Sequence, residues 1–179
     1  MIELVIGGAR SGKSGFAERQ ALTHELGGIS VTYIATGEAR DEEMAARIAH
    51  HRARRPAGWR TIEEPLLLAD ALRREAAPDV CLLVDCLTLW LTNVLLGERE
   101  AEIDKLLKVL PTLPGRVILV SNEVGWGIVP ENALARRFRD EQGRLNQRVA
   151  ALSNQVTLVA AGLPLELKRA ASLPSRARC

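Results

Sequence analysis

The chain has 179 residues, of which 47% are hydrophobic, and its formal net charge is +2. This size fits a single domain with one core, spanning residues 1–179, and makes a second full domain unexpected. The near-balanced charge excludes the strongly basic proteins that bind nucleic acid or anionic membranes through their overall field, so partners must be recognised at local sites.

Short apolar runs alternate with helix-length segments along the chain. The predicted strands are 2–6, 31–35, 80–84, 116–120 and 155–160, with a weaker edge strand at 59–64. The predicted helices are 13–26, 41–51, 66–75, 102–110 and 130–152. Near-continuous apolar strands separated by helices indicate an α/β fold, in which helices cover both faces of a mostly parallel central sheet.

The last predicted helix and the segment after it carry local signals of their own. Pro130 is expected at the first turn of the helix, where its missing N–H has no partner to lose. The segment 164–179 is basic and contains prolines. It is expected to fray, and no function is assigned to it.

The segment from Cys86 to Gly97 is hydrophobic nearly all round. A helix of this kind must be covered on every side, so it lies either in the core or partly in a subunit interface. It is shorter than the roughly 20 residues that a membrane-spanning helix needs. No membrane span is therefore predicted.

The cysteine pattern and the N-terminus bear on the cellular compartment. Cys81, Cys86 and Cys179 are an odd number of cysteines at no metal-ligand spacing. This pattern is typical of reduced thiols rather than of disulfides or a zinc site. The N-terminus also lacks the basic start of a signal peptide. We therefore expect a cytoplasmic protein.

The segment GGARSGKS, from Gly7 to Ser14, satisfies the pattern G-x-x-x-x-G-K-[ST] and lies between an apolar strand and a helix. This context indicates a phosphate-binding loop rather than an ordinary glycine-rich turn. The loop amides and the helix N-terminus would face the phosphates. Lys13 would neutralise the β- and γ-phosphates, and the Ser14 hydroxyl would bind Mg²⁺.

A magnesium site also needs a carboxylate, and Asp85 directly follows the predicted strand 80–84. This is the position of the acidic residue that holds Mg²⁺ in P-loop NTPases. The alternative is that Asp85 caps the helix beginning near Cys86, because aspartate is a favoured N-cap residue. The two functions are compatible.

Two adjacent histidines lie at the end of the predicted helix 41–51. Helical spacing puts His51 on the inward stripe of Met44 and Ile48, and turns His50 outward. An acidic start and a basic end suit the helix dipole, so a solvated helix accounts for the composition by itself. Near a phosphate loop, however, a neutral imidazole can attack phosphorus. The neighbouring arginines that could hold a triphosphate are Arg52, Arg54 and Arg55.

The segment NEVGWGIVP contains Gly125 and Gly127. These glycines would let it act as a loop that closes over a large ligand. The alternative is a plain connection between a strand and a helix.

Four segments closely resemble the bifunctional adenosylcobinamide kinase and adenosylcobinamide-phosphate guanylyltransferase of cobalamin biosynthesis. They are GGARSGKS, YIATGEARDEEMAARIAHHRARRPAGWRTIEEP, LLVDCLTLWLTNVL and SNEVGWGIVPENALARRFRDEQGRLNQRVA. The resemblance runs in order from Met1 to about Gly162. The second and fourth segments are specific to this family, whereas many NTPases share the phosphate loop.

The resemblance implies a RecA-like P-loop NTPase that catalyses two steps. The first transfers the γ-phosphoryl group of ATP or GTP to the aminopropanol hydroxyl of adenosylcobinamide. The second transfers GMP from GTP to adenosylcobinamide phosphate through a covalent phosphoramidate on His50, giving adenosylcobinamide-GDP and pyrophosphate. The resemblance also implies a homotrimer, which the segment 86–97 would help to hold.

The family pattern also implies site residues. His50 and Lys13 would be catalytic, and Ser14 and Asp85 would bind Mg²⁺. The nucleotide contacts implied are Gly7, Gly8, Ala9, Arg10, Ser11, Gly12, Lys13, Ser14, Thr36, Gly37, Glu38, His51, Arg52, Ala53, Arg54, Glu63 and Asp85. The sequence does not divide the guanine, the ribose and the metal between Glu63 and Asp85.

Two other functions compete with the bifunctional enzyme. One is a kinase without histidine chemistry, which the segment HHRARRP, residues 50–56, argues against. The other is a nucleotide-dependent switch that acts through a partner protein. A switch needs no nucleophilic histidine, and the balanced charge offers no evident docking segment.

Overall fold

The computed structural model describes residues 1–39, 42–53 and 56–169. Within helix 42–53 it leaves out the side chains of Glu43, Met44, Arg47, His50, His51 and Ala53. The strands are β1 (Ile2–Gly7), β2 (Ser30–Ala35), β3 (Arg60–Glu63), β4 (Val80–Asp85), β5 (Arg116–Asn122), β6 (Gln155–Ala160) and β7 (Leu163–Lys168). The helices are α1 (Lys13–Leu26), α2 (Glu42–Ala53), α3 (Leu68–Glu75), α4 (Leu87–Leu96), α5 (Ala101–Val109) and α6 (Ala133–Leu152), with a 3₁₀ turn at Leu110–Thr112.

All seven strands form one sheet in the order β3-β2-β4-β5-β1-β6-β7. Strands β1 to β6 pair in parallel, and β7 pairs antiparallel with β6. This arrangement confirms the predicted α/β fold with a mostly parallel sheet, and β3 is the edge strand that was expected at 59–64. Because the strands are parallel, the C-terminal ends of β1, β4 and β5 meet at one edge of the sheet.

Alternate residues of the central strands enter two separate hydrophobic clusters. Leu82 and Val84 of β4 pack with helices α3 to α6, whereas Cys81 and Leu83 pack on the side of α1. Side chains of a strand alternate between faces, so a strand buried on both faces is apolar at every position. This is why the apolar runs identified the strands.

Helix α4 lies in the core rather than at a surface. Leu87, Trp90, Leu91 and Val94 are completely buried, and the Trp90 indole donates a 2.9 Å hydrogen bond to the carbonyl of Leu66. Of the two alternatives for this apolar segment, the core is therefore the one observed. No helix of the described ranges is both long and apolar enough to cross a membrane.

The last helix begins later than Pro130, so that prediction is wrong. Helix α6 begins at Ala133, and Asn132 is its N-cap. The Asn132 side chain accepts hydrogen bonds from the amides of Leu134 and Ala135, at 2.8 and 3.1 Å. The side-chain oxygen satisfies amides that would otherwise lack partners, which proline at the expected position could not do.

The expectation that residues 164–179 fray is wrong for the first part of that segment. Leu163–Lys168 forms β7, whose backbone groups pair with β6. The pairing supplies hydrogen-bond partners that the amino-acid pattern alone does not reveal. The rest of the segment, from residue 170 onward, lies outside the described residues.

Candidate nucleotide-binding site

The phosphate loop is shaped by two residues with left-handed backbone angles, Arg10 at φ 56° and Gly12 at φ 92°. Gly7 lies where β1 ends, and a Cβ atom there would lie 2.4 Å from the carbonyl oxygen of Val159 and 2.5 Å from Oγ of Ser11. The glycine is thus required for the loop to pack this closely on β6. Successive amides at the start of a helix form a site for anions.

Lys13 is the first residue of α1, and its side chain lies along the loop. Its Nζ donates a 3.2 Å hydrogen bond to the carbonyl of Gly8. Burial lowers the pKa of Lys13, while Cys86 and Asp85 act in the opposite direction. An ammonium group in these partly buried surroundings interacts more strongly with phosphate than one in bulk water.

Asp85 ends β4 and faces α1 across the sheet edge. Ser14 donates to its Oδ1 at 3.4 Å, and Tyr33 donates to its Oδ2 at 2.6 Å. The structure therefore brings together the hydroxyl and the carboxylate that the sequence assigned to Mg²⁺. Oxygen donors of this kind suit Mg²⁺, which takes one or two protein ligands and completes its shell with water and phosphate oxygens. These residues fit the ion.

Asp85 is not the cap of α4. The N-cap position belongs to Cys86, and no side chain caps the helix there. The helix-cap alternative for Asp85 is therefore wrong. Burial raises the pKa of the Cys86 thiol to about 11, and the Asp85 carboxylate adds to that shift, so the thiol is neutral at physiological pH.

The end of β2 is tied to the end of β4 by Thr36. Its hydroxyl donates to the carbonyl of Cys86 at 2.7 Å and accepts from the amide of Cys86 at 2.9 Å. Asn93 donates to the carbonyl of Thr36 at 2.9 Å. Because Thr36 is completely buried, its side chain joins two strands, and the exposed Glu38 beyond it has more access to a ligand.

A second group of predicted residues lies at the edge strand β3. Arg52 of α2 forms an ion pair with Glu63 of β3, and both side chains are more than half exposed. An open pocket of about 420 Å³ is lined by Arg52, Pro56, Ala57, Trp59, Thr61 and Glu63. His50 and His51 lie on the same helix as Arg52. Their side chains, and all of Arg54 and Arg55, lie outside the described residues, so the outward orientation of His50 stays a prediction.

The strand order separates the two groups. Three strands, β2, β4 and β5, lie between β3 and β1. With neighbouring strands about 4.8 Å apart, β3 lies roughly 19 Å from β1. The structure thus unites the phosphate loop with Asp85, but it leaves the Arg52–Glu63 pair at a distance from the loop.

Sequence reasoning missed Tyr33. This buried residue lies within the apolar strand predicted at 31–35, and no function was predicted for it. The available signal was its hydroxyl, because a buried tyrosine hydroxyl usually has a polar partner. The partner could not be named from sequence, since Asp85 is 52 residues away along the chain.

Comparison with known proteins agrees with the resemblance noted from the sequence. Residues 3–167 match the family model described as cobinamide kinase / cobinamide phosphate guanyltransferase. The bifunctional adenosylcobalamin biosynthesis protein CobP of Pseudomonas aeruginosa is 57% identical over 176 residues, which cover 94% of this chain and 98% of that protein. The bifunctional adenosylcobalamin biosynthesis protein CobU of Escherichia coli K12 is 43% identical over 185 residues, covering 94% of this chain and all of that protein.

Among solved structures, the flagellar accessory protein FlaH of Methanocaldococcus jannaschii is similar with a TM-score of 0.55 at 12% identity. The match covers 94% of this chain and 78% of that protein. At this identity the likeness concerns the fold alone, and it agrees with the predicted RecA-like P-loop architecture. The family match, by contrast, spans nearly the whole chain at high identity. The chain belongs to the cobinamide kinase / cobinamide phosphate guanyltransferase family.

Proposed function

We propose that this chain phosphorylates adenosylcobinamide with ATP or GTP and then transfers GMP from GTP to adenosylcobinamide phosphate. The proposal is carried by one observation of geometry: Ser14 at the end of a complete phosphate loop lies 3.4 Å from the Asp85 carboxylate. Family membership supplies the acceptor, since the curated relatives are named as bifunctional proteins of adenosylcobalamin biosynthesis.

In the kinase step the chain binds and orients the triphosphate. The amides of Gly7 to Ser14 cradle the phosphates, and Lys13 neutralises charge on the β- and γ-phosphates. Ser14 and Asp85 would hold Mg²⁺, which when bound offsets the charge that develops on the phosphates. The acceptor hydroxyl then attacks the γ-phosphorus, and the nucleoside diphosphate leaves.

In the guanylyl step the proposed nucleophile is His50. Its neutral imidazole nitrogen forms a bond to the α-phosphorus of GTP, and the bond between that phosphorus and the bridging oxygen to the β-phosphate breaks. Pyrophosphate leaves, stabilised by Lys13. An oxygen of adenosylcobinamide phosphate then attacks the same phosphorus and releases His50. A covalent intermediate splits one difficult displacement into two easier ones.

All the nucleotide contacts that the family pattern implies belong to the same proposal. They are Gly7, Gly8, Ala9, Arg10, Ser11, Gly12, Lys13, Ser14, Thr36, Gly37, Glu38, His51, Arg52, Ala53, Arg54, Glu63 and Asp85. Arg52 lies on the same helix as His50 and forms an ion pair with Glu63 of β3. This pair supports a second contact region for GTP beside β3. Glu63 would accept hydrogen bonds from the guanine or the ribose.

We propose a cytoplasmic homotrimer, with no nucleic acid as partner. Because most of α4 is buried in the core, we propose that another surface holds the subunits together. The edge strand β7 exposes Leu163, Leu165 and Leu167. Leu163 and Leu165 alternate along the strand and lie on one face of the sheet, whereas the pairing with β6 is irregular at Leu167. Exposed apolar surface of this kind favours contact with another chain.

Labelling with GTP that carries ³²P on the α-phosphate tests the guanylyl step. We expect an acid-labile, base-stable label on the protein, which adenosylcobinamide phosphate discharges. His50→Ala should abolish the label. His24→Gln is the matched control and should retain it, since His24 lies near the end of α1, about 16 Å along the helix from Lys13.

The outcomes separate the candidate functions. An unchanged label after His50→Ala would remove His50 as the nucleophile. Absence of any label on the unmodified protein, with phosphorylation of adenosylcobinamide by γ-labelled nucleotide retained, would leave a kinase alone. Absence of both reactions, with nucleotide still bound, would favour a nucleotide-dependent switch.

A further inference from the structure

The C-terminal end of β5 lies directly beside the phosphate loop. Asn122 is the register partner of Gly7, and the amide of the next residue, Glu123, donates a 3.0 Å hydrogen bond to the carbonyl of Gly7. Glu123 therefore lies next to the first residue of the loop, although 116 residues separate the two along the chain.

This is the end of the loop at which a γ-phosphate would lie. The lysine of a phosphate loop reaches the β- and γ-phosphates, and Nζ of Lys13 lies on the carbonyl of Gly8. Gly8 is the residue after Gly7, so the Lys13 ammonium group and the backbone of Glu123 lie at the same end of the loop. An acceptor hydroxyl that attacks the γ-phosphorus would approach from this side.

The Glu123 carboxylate is held in place. It is partly buried, and its Oε1 accepts a 2.8 Å hydrogen bond from the amide of Gly125. A carboxylate fixed by its own loop loses little rotamer freedom when a substrate arrives.

The backbone beneath Glu123 is also fixed from two helices. The amide of Asn122 donates to the Thr88 hydroxyl of α4 at 2.8 Å. The carbonyl of Asn122 accepts from the Asn146 side chain of α6 at 3.0 Å. Asn146 in turn accepts from Ser121 at 2.6 Å and from Gln142 at 3.0 Å. This buried polar network rigidifies the end of β5.

The other carboxylates of the site are engaged or distant. Asp85 accepts hydrogen bonds on both oxygens and has the position of a metal ligand. Glu63, at the end of β3, forms an ion pair with Arg52 of α2. Glu38 follows β2, which is three strand positions from β1, a separation of about 14 Å. Strand β5, in contrast, is the immediate neighbour of β1.

We propose that Glu123 is the general base of the kinase step. This inference rests on the proposed function. As the acceptor oxygen forms its bond to the γ-phosphorus, its O–H bond breaks and the proton passes to the Glu123 carboxylate. The bond between the γ-phosphorus and the oxygen bridging to the β-phosphate breaks, and the nucleoside diphosphate leaves with that electron pair.

The chemistry of the second step makes this role specific. A neutral imidazole attacks with a free electron pair, and an ionised phosphate oxygen carries no proton to remove. Neither displacement of the guanylyl step therefore needs this base. A catalytic role of Glu123 should affect phosphorylation and spare guanylylation, whereas a structural role would affect both.

The test measures the two reactions separately in Glu123→Gln. We expect kcat for phosphorylation of adenosylcobinamide to fall about 10²- to 10⁴-fold, the usual contribution of a general base. The KM for ATP and the rate of self-labelling by α-labelled GTP should stay within about threefold of the values for the unmodified protein. The reason is that an amide has nearly the same shape as a carboxylate, so the binding of the nucleotide itself is retained. Glu131→Gln, an exposed change in the same connection to α6, should leave both reactions unchanged.

Retained phosphorylation in Glu123→Gln, or equal losses in both reactions, would overturn the proposal. Failure of the proposed function would differ, because the unmodified protein would then not phosphorylate adenosylcobinamide at all.

Discussion

Tyr33 and Asp85 are joined by a 2.6 Å hydrogen bond, in which the phenol hydroxyl donates to Oδ2 of the carboxylate. The ring of Tyr33 is buried between β2 and the helix layer of α1. Its hydroxyl reaches two residues along the neighbouring strand, because Ala35 is the register partner of Asp85. The core of the sheet thereby orients the carboxylate that faces Ser14.

Removing this hydroxyl should weaken the proposed metal site. In Tyr33→Phe the ring still fills its place, but Asp85 loses a charge-assisted donor. We expect the Mg²⁺ concentration for half-maximal kinase activity to rise about 10- to 100-fold, as for other residues that orient metal ligands. The free energy of unfolding should fall by about 1–3 kcal/mol. Magnesium titration and urea unfolding measure these effects. An unchanged Mg²⁺ dependence would show that Tyr33 does not orient Asp85.

Adjacent glycines of the phosphate loop should differ in their tolerance of alanine. In Gly7→Ala the new methyl would lie 2.4 Å from a backbone carbonyl oxygen, whereas no atom lies within 4 Å of the equivalent position in Gly8→Ala. We expect Gly7→Ala to lower the free energy of unfolding by about 1–3 kcal/mol, as overpacking does. Gly8→Ala is the matched control and should unfold like the unmodified protein. Equal stabilities would contradict the tight packing of Gly7 on β6.

The loop between β5 and α6 exposes apolar side chains beside the proposed active site. Trp126 is 73% exposed and Ile128 is 97% exposed. If this loop closes over the corrinoid ring, Trp126→Ala should raise the KM for adenosylcobinamide several-fold and leave self-labelling by GTP unchanged. Stability should stay within about 0.5 kcal/mol, since surface substitutions remove little packing. Equal KM values in the two proteins would leave the loop as a plain connection.

The two buried cysteines predict a loss of stability in alkali. Burial raises the pKa of Cys81 to about 12 and that of Cys86 to about 11, from an ordinary value of 9.0. Between pH 9 and 11 the unfolded chain releases these protons while the folded chain keeps them. The cysteine contribution is therefore fully present below pH 9 and is lost as pH rises through the folded pKa values. Each thiol should contribute a slope of up to about 1.4 kcal/mol per pH unit.

Urea unfolding at pH 8, 9 and 10 measures this slope. Other groups titrate in the same range, so the comparison is with Cys81→Ala and Cys86→Ala, which should flatten the dependence. Parallel curves for the unmodified protein and both cysteine variants would exclude the thiols as its cause.

Several features of this protein were determined by sequence alone because they are local. The phosphate loop is eight consecutive residues, Gly7 to Ser14. The spacing of its glycines and its lysine indicates a phosphate-binding loop without any tertiary information. The strands could be recognised because burial on both faces requires an unbroken apolar run. Strand β7 gives no such run, since Pro164, Glu166 and Lys168 alternate with its leucines, and its order comes from pairing with β6.

The arrangement of the site was decided by the tertiary structure. Tyr33 meets Asp85, and Glu123 meets Gly7, only because the strand order and register place distant segments side by side. Local propensity contains no information about which strands are neighbours, since parallel pairing here depends on hydrogen bonds and packing between residues 28 or more positions apart. The sequence by itself determined which groups could bind a nucleotide, and the fold determined which of them act together.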